Sequence, residues 1–239
     1  MYGWRARVGL LVPSSNTTNE PEFQRVLPEG VSLHTGRLPL EDVNADELER
    51  MAGTAERIGE RLKHAAVDVI CYGCTTGSLV KGHGYAEELE STLASVTDVP
   101  AVATALSVER ALDTLGAESV AVVTPYIDDI NERERRFLET GGFEVESISG
   151  HGIERNTQIG ALTPEEAYRQ AVGAIEESGT DADAVFISCT NYRTFEAIER
   201  IEADTGVPVV TSNQATLWDA MTNLEIDRSG MPLGRLFET

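Results

Sequence analysis

Short, unbroken apolar runs alternate along this chain with longer stretches in which apolar residues return at helical spacing. Arg7-Val8-Gly9-Leu10-Leu11-Val12-Pro13 is the first run. Continuous apolarity over so few residues marks a strand covered on both faces, as in a parallel sheet. Val31 to Leu33 opens a second strand, Val67 to Tyr72 forms a third and Val99 to Thr104 a fourth. From Asp46 to Ala66 the period changes: Leu48, Met51, Ala55, Ile58 and Leu62 fall on one helical face, with Asn44 or Asp46 as N-cap. Another helix, roughly Ser107 to Leu115, stops at Gly116 in the manner of a C-terminal glycine.

The order then repeats. Val120 to Tyr126 answers the first strand, Phe143 to Ile148 the second, Ala184 to Ser188 the third and Val207 to Ser212 the fourth, while Pro164 to Ser178 matches the helix Asp46 to Ala66. Correspondences in the same order imply an internal duplication, and alternating strands and helices imply right-handed crossovers. The predicted fold class is α/β: two pseudo-symmetric doubly wound four-stranded parallel-sheet halves. They would face each other across a cleft lined by the carboxyl ends of the strands, where open α/β sheets bind ligands. The halves are expected at 1–105 and 106–213, with 214–239 as a C-terminal helix and tail packing back on the N-terminal half.

Composition narrows the function. With 239 residues, 41% of them hydrophobic, the chain can bury a sizeable core as one large domain or two small ones. No apolar stretch has the length of a membrane span, and Met1 to Arg7 leads straight into a strand, so a cytoplasmic protein is expected. The net charge of −21 is dispersed, and Lys63 and Lys81 are the only lysines. Such a surface repels nucleic acid and anionic membranes. Acidity with lysine depletion also points to a halophilic protein, the alternative being an acidic mesophilic one.

The chemistry lies in the loops after the strands. Pro13 to Thr18, Cys74 to Ser78, Pro125-Tyr126, His151 to Thr157 and Cys189 to Arg193 are rich in hydroxyls, amides and backbone N–H groups suited to carboxylate oxygens. Thr75, Thr76, Thr190 and Asn191 are therefore candidate substrate-binding residues. Neither a dinucleotide fingerprint nor a phosphate loop is present, so a small carboxylate and no nucleotide is expected. The three cysteines suggest neither a disulfide framework nor a zinc site. Cys71 and Cys74 have Cys-x-x-Cys spacing, but Cys71 falls inside a strand and reads as a core residue. Cys74 and Cys189 occupy matching places in the two halves. His34, His64, His83 and His151 lack helical metal-ligand spacing. Tyr126 can instead cover a strand edge, Asn16 can cap a turn or helix, and Asn156 can brace its loop. Arg155 and Arg193 read as surface ion pairs.

Val12-Pro13-Ser14-Ser15-Asn16-Thr17, Gly73-Cys74-Thr75-Thr76-Gly77-Ser78, Thr124-Pro125-Tyr126, Gly152 to Gly160 and Ser188-Cys189-Thr190-Asn191 together resemble the aspartate/glutamate racemase superfamily. Within it they are most similar to the maleate cis–trans isomerase and arylmalonate decarboxylase branch. The resemblance implies a cofactor-independent enzyme with one cysteine from each half flanking a small dicarboxylate. It also implies Cys74 as nucleophile, Cys189 as proton donor and acceptor, and Asn16, Tyr126 and Asn156 as carboxylate-binding side chains. Decarboxylases of this branch carry glycine in place of the first cysteine, so Cys74 favours an isomerase or a racemase. The Pro-Ser-Ser-Asn-Thr loop argues against an amino-acid or hydantoin racemase. A two-lobed small-molecule binding protein is the non-enzymatic alternative. The expected assembly is a homo-oligomer. The helix after Cys74 is expected to favour its thiolate.

Overall fold

The computed structural model describes residues 2–177 and 182–239. The N-terminal half contains β1 (Ala6–Pro13), α1 (Asn19–Val26), β2 (Val31–Leu38), α2 (Ala45–Ala52), α3 (Ala55–Lys63), β3 (Val69–Tyr72), α4 (Thr75–Leu79), α5 (His83–Thr97), β4 (Ala101–Ala103) and α6 (Thr104–Leu115). The C-terminal half contains β5 (Ser119–Thr124), α7 (Asp128–Thr140), β6 (Glu144–Gly150), α8 (Asn156–Ile159), α9 (Pro164–Glu177), β7 (Ala184–Ile187), α10 (Ile198–Thr205), β8 (Val209–Thr211) and α11 (Ser212–Asn223). The strand orders are β2-β1-β3-β4 and β6-β5-β7-β8, all parallel. This is the duplicated α/β architecture that the strand and helix periodicity implies.

The central strands follow from their composition. Val8, Leu10, Leu11 and Val12 of β1 and Val120 to Val123 of β5 are all buried, with α3 packed on β1 and α9 on β5. The edge strands are longer or later than apolarity suggests. β2 continues past Leu33 to Leu38 because its backbone pairs with β1 from Ala6↔Val31 to Pro13↔Leu38, while its half-buried side chains need not be apolar. β6 likewise runs on to Gly150. The strand ends are shorter than expected elsewhere: Tyr126, Ser188 and Ser212 lie beyond β5, β7 and β8.

The expected helix Asp46 to Ala66 is two helices. Gly53 and Thr54 separate α2 from α3, and the Thr54 hydroxyl and amide both donate to the Met51 carbonyl, at 2.7 and 3.0 Å. Glycine and a hydroxyl residue that captures a nearby carbonyl both weaken a helix interior. Asn44 is the N-cap of α2, its Oδ1 accepting from the Glu47 amide at 3.1 Å, and Asp46 lies inside the first turn. The helix ending at Gly116, which has φ +71, starts at Thr104 rather than Ser107. Of the expected helix Pro164 to Ser178, Ser178 lies outside the described residues.

The two helices that spring directly from the fourth strands, α6 and α11, pack along each other. Thr216 Oγ1 donates to Thr104 Oγ1 at 2.9 Å, and Asp219 accepts from Ser107 Oγ at 2.8 Å and from Arg110 at 2.6 Å. α11 also contacts β3 and β4 of the N-terminal half. Boundaries at 105/106 and 213/214 fall inside the first turns of α6 and α11. Among the described residues no helix is long and apolar enough to cross a membrane.

Candidate active site

Cys74 leaves β3 as the N-cap of α4, with φ −152 and ψ 110. Its Sγ accepts from the Gly77 amide at 3.3 Å and lies 3.7 Å from Thr76 Oγ1. Those contacts favour the thiolate as the sequence suggests, yet burial outweighs them and pushes the thiol up to about 11. The helix start thus favours the thiolate as expected, and burial outweighs it so that Cys74 is held as a neutral thiol.

Cys189 follows β7 in the equivalent place but with a different backbone. Its φ is +95, a region that L side chains rarely occupy. Its amide donates to Ser212 Oγ at 3.0 Å, and the Asn191 amide donates to its Sγ at 3.3 Å. The Tyr126 hydroxyl is hydrogen-bonded to the Cys189 thiol. Burial pushes Cys189 up to about 12, against that bond, and Cys74 acts on it in the same direction. Tyr126, only 2% exposed, feels both thiols and is held well above the usual phenol range, mainly by burial. It stays protonated and can donate. The two cysteines and Tyr126 thus share one buried site at the facing strand ends.

Two reciprocal ties set the thiols against each other. Thr190, which follows Cys189, donates from Oγ1 to the carbonyl of Gly73, which precedes Cys74, at 3.1 Å. Thr75, which follows Cys74, donates to Ser212 Oγ at 2.8 Å, the same oxygen that accepts the Cys189 amide. Each half therefore fixes the backbone that presents the other half's sulfur.

The amides predicted near the substrate form a second knot. Asn16 Oδ1 accepts from the amides of Thr18 and Asn19, each at 3.0 Å, and Nδ2 donates to Thr190 Oγ1 at 3.1 Å. Asn191 Oδ1 accepts from the Thr17 amide at 2.8 Å, while Nδ2 donates to Asn156 O at 2.7 Å and Oδ1 at 3.1 Å. Asn156 Nδ2 donates to Ser15 Oγ at 2.8 Å. The loop after β6 also lies against the N-terminal half, with the Val43 amide donating to Glu154 O at 2.8 Å. Asn16 and Asn156 each have a second side-chain N–H for a ligand. Asn191 has both ends engaged.

Arg155 and Arg193 are exposed and pair with Asp42 and Glu196. Cys71 is fully buried, and its thiol is pushed far up by burial. Among the described residues no cluster could hold a metal ion. Sequence reasoning missed Ser15, Glu22, Glu134, Ser212 and Asn213. Glu22 is buried with its carboxylate taking the amides of Thr194 and Phe195 and Asn213 Nδ2, which also donates to Thr190 O. Glu134 had a readable signal: with Ile130, Phe137 and Leu138 it falls on the apolar face of α7, where a carboxylate is out of place.

Two thiols presented from the facing strand ends of duplicated parallel α/β halves define the class of aspartate/glutamate racemase-like folds, in its maleate isomerase and arylmalonate decarboxylase branch. The chain belongs to the arylmalonate decarboxylase family, whose sequence profile matches residues 8–237. It is 29% identical to a maleate isomerase from Pseudomonas putida over 92% of each chain. It is 27% identical to an arylmalonate decarboxylase from Bordetella bronchiseptica over 97% of this chain and 96% of the relative. Among solved structures, the maleate-bound maleate isomerase of Pseudomonas putida S16 superposes with a TM-score of 0.91 at 31% identity, covering 97% of both chains. A cysteine-to-serine variant of Nocardia farcinica maleate cis–trans isomerase with a covalently bound succinylcysteine intermediate gives 0.90 at 27% identity, covering 97% of this chain and 98% of that one.

Proposed function

We propose that this protein is a cofactor-independent cis–trans isomerase that converts maleate to fumarate by covalent addition. The observation that carries the reading is the pair Cys74 and Cys189, buried together with the Tyr126 hydroxyl between the halves. The similarity to maleate isomerases across nearly the whole chain supports the substrate. A thiol at position 74 favours isomerisation over the decarboxylation of the family's name.

In the proposed reaction Cys74 Sγ forms a bond to one olefinic carbon, and the π pair moves to the other carbon, which takes the proton of Cys189. Cys189 is returned to a neutral thiol by the proton that Cys74 loses, passed through the Tyr126 hydroxyl. The adduct is succinyl-like, and its former double bond rotates. Reversal of the same transfers then expels Cys74 and leaves fumarate. Addition and elimination conserve charge, which suits two thiols that burial keeps neutral. Charge gathering on the adjacent carboxylate would be met by the first-turn amides of Thr75 and Thr76, which lack intrahelical acceptors, and by the spare N–H groups of Asn16 and Asn156.

The reading includes a cytoplasmic, salt-adapted enzyme, supported by the dispersed charge of −21. It also includes a homo-oligomer, supported by Tyr2 and Trp4, which are 95% and 64% exposed. The test is incubation with maleate, without added metal or coenzyme, followed by proton NMR. Fumarate formation supports the reading. Unchanged maleate alongside deuterium exchange at Cα of an amino acid would replace it with racemisation.

A further inference from the structure

Glu134 sits near Cys189 and Tyr126, and the reaction above gives it no part. Its carboxyl is 1% exposed. Oε1 accepts from Ser188 Oγ at 2.5 Å, and Ser188 immediately precedes Cys189. Oε2 is buried without a hydrogen-bond partner. The side chain lines a cavity of about 10 Å³, the size of one water molecule, with Thr75 and Leu79 of α4, Ala105 and Val108 of α6, Phe186 of β7 and its own helix neighbours Phe137 and Leu138.

None of that lining is ionisable. Beyond it, His83 stacks on Phe137 and is paired with Glu109. On its own helix, Arg133 and Arg135 donate to the carbonyls of Val80 and Val145. The ionisable groups that respond to Glu134 are Tyr126, in the loop after β5, and Cys189, at the end of β7; both also respond to Cys74. Among the described residues no cation is paired with Glu134. A carboxylate with one oxygen unpartnered in such a place is costly.

We propose that Glu134 is a positioning residue for Cys189: as a neutral acid bonded to Ser188 it leaves Cys189 free to carry transient negative charge, and as a carboxylate it opposes that charge. Neutrality is needed because each proton transfer to carbon makes Cys189 momentarily a thiolate. A second buried anion, held by the residue next to Cys189 and acting on its thiol, raises the cost of that state. Burial lifts the Glu134 carboxyl to about 8, so the change falls within a working pH range.

The inference rests on the isomerase reading, and its tests separate the two. Rates of maleate turnover are measured against pH for the parent protein, Glu134→Gln and Ser188→Ala. The parent should show a falling limb centred near pH 8. Glu134→Gln, which cannot ionise, should lose that limb. Ser188→Ala removes a bond that favours the carboxylate and should move the limb to higher pH. A limb unchanged in both variants overturns the inference while leaving the isomerase in place. Infrared spectra of the ligand-free protein provide a readout without turnover: a protonated-carboxyl component in the parent-minus-Glu134→Gln difference spectrum, present at pH 6.5 and lost as pH passes about 8, supports it. Identical carboxyl bands in parent and Glu134→Gln at pH 6.5 overturn it. Absence of maleate turnover in the parent would sink the isomerase reading itself.

Discussion

Replacing Asn191 by alanine should damage the fold more than substrate affinity. The side chain is 1% exposed and joins three segments, taking the Thr17 amide at 2.8 Å and donating to Asn156 O at 2.7 Å. Truncation removes the links to Thr17 and to Asn156 and strands the buried Asn156 carbonyl, whereas the amide of exposed Thr17 can turn to water. Two lost links at about 1 kcal/mol net each and one stranded group at about 1–3 give an expected loss of roughly 3–5 kcal/mol. At about 2–4 °C per kcal/mol for a chain of this length, the melting temperature should fall by roughly 10 °C. Gly160→Ala presses on the same knot, since its Cβ would lie 2.5 Å from Thr17 Oγ1 and 3.0 Å from Asn191 Nδ2. It should be destabilised in the same direction by about 1–3 kcal/mol. Urea titration and thermal circular dichroism measure both variants, with KM for maleate taken below the transition. A melting temperature equal to the parent's, with a sharply raised KM, would refute the bracing role of Asn191 and make it a substrate ligand.

Cys189→Gly should resist urea better than Cys189→Ala by about 1 kcal/mol, because only glycine adopts φ +95 without strain; equal stability would show that the turn is unstrained. Glu134 contributes a pH-dependent term of fixed sign. Its folded value is raised from 4.5 to about 8, so its contribution is full below 4.5 and is lost as pH climbs to 8. The stability of Glu134→Gln relative to the parent should therefore grow between pH 5 and 9, by up to about 4 kcal/mol at 1.36 kcal/mol per pH unit; a constant difference in urea midpoints would contradict this. If the dispersed acidity is a salt adaptation, the melting temperature should rise from low to molar potassium chloride as repulsion is screened; a flat or falling curve would remove that reading.

The central strands were readable because a strand buried on both faces leaves an unbroken apolar run, as in Val8 to Val12 and Val120 to Val123. The edge strands β2 and β6 were only half readable, since backbone pairing extends them through polar residues such as His34 and Ser149. Cys74 and Cys189 could be matched because duplication puts them at equivalent strand ends. What short polar residues do there could not be read: Asn16, Thr75, Thr190 and Asn191 have the chemistry of carboxylate ligands and equally that of cross-ties between halves. Only coordinates show their protein partners. The thiol's ionisation was half readable for a related reason. A helix N-terminus is visible in sequence, whereas the burial that overrides it depends on the opposite half of the molecule.

Intact-protein and peptide mass spectrometry of Cys189→Ser after incubation with maleate tests the two-thiol account most directly. With the proton that Cys74 loses delivered to the carbon and no thiolate at position 189 to take it back, the protein should accumulate an adduct one maleate heavier, located on the peptide that contains Cys74 and absent from Cys74→Ala. An adduct on another residue, or full turnover without either cysteine, would contradict it.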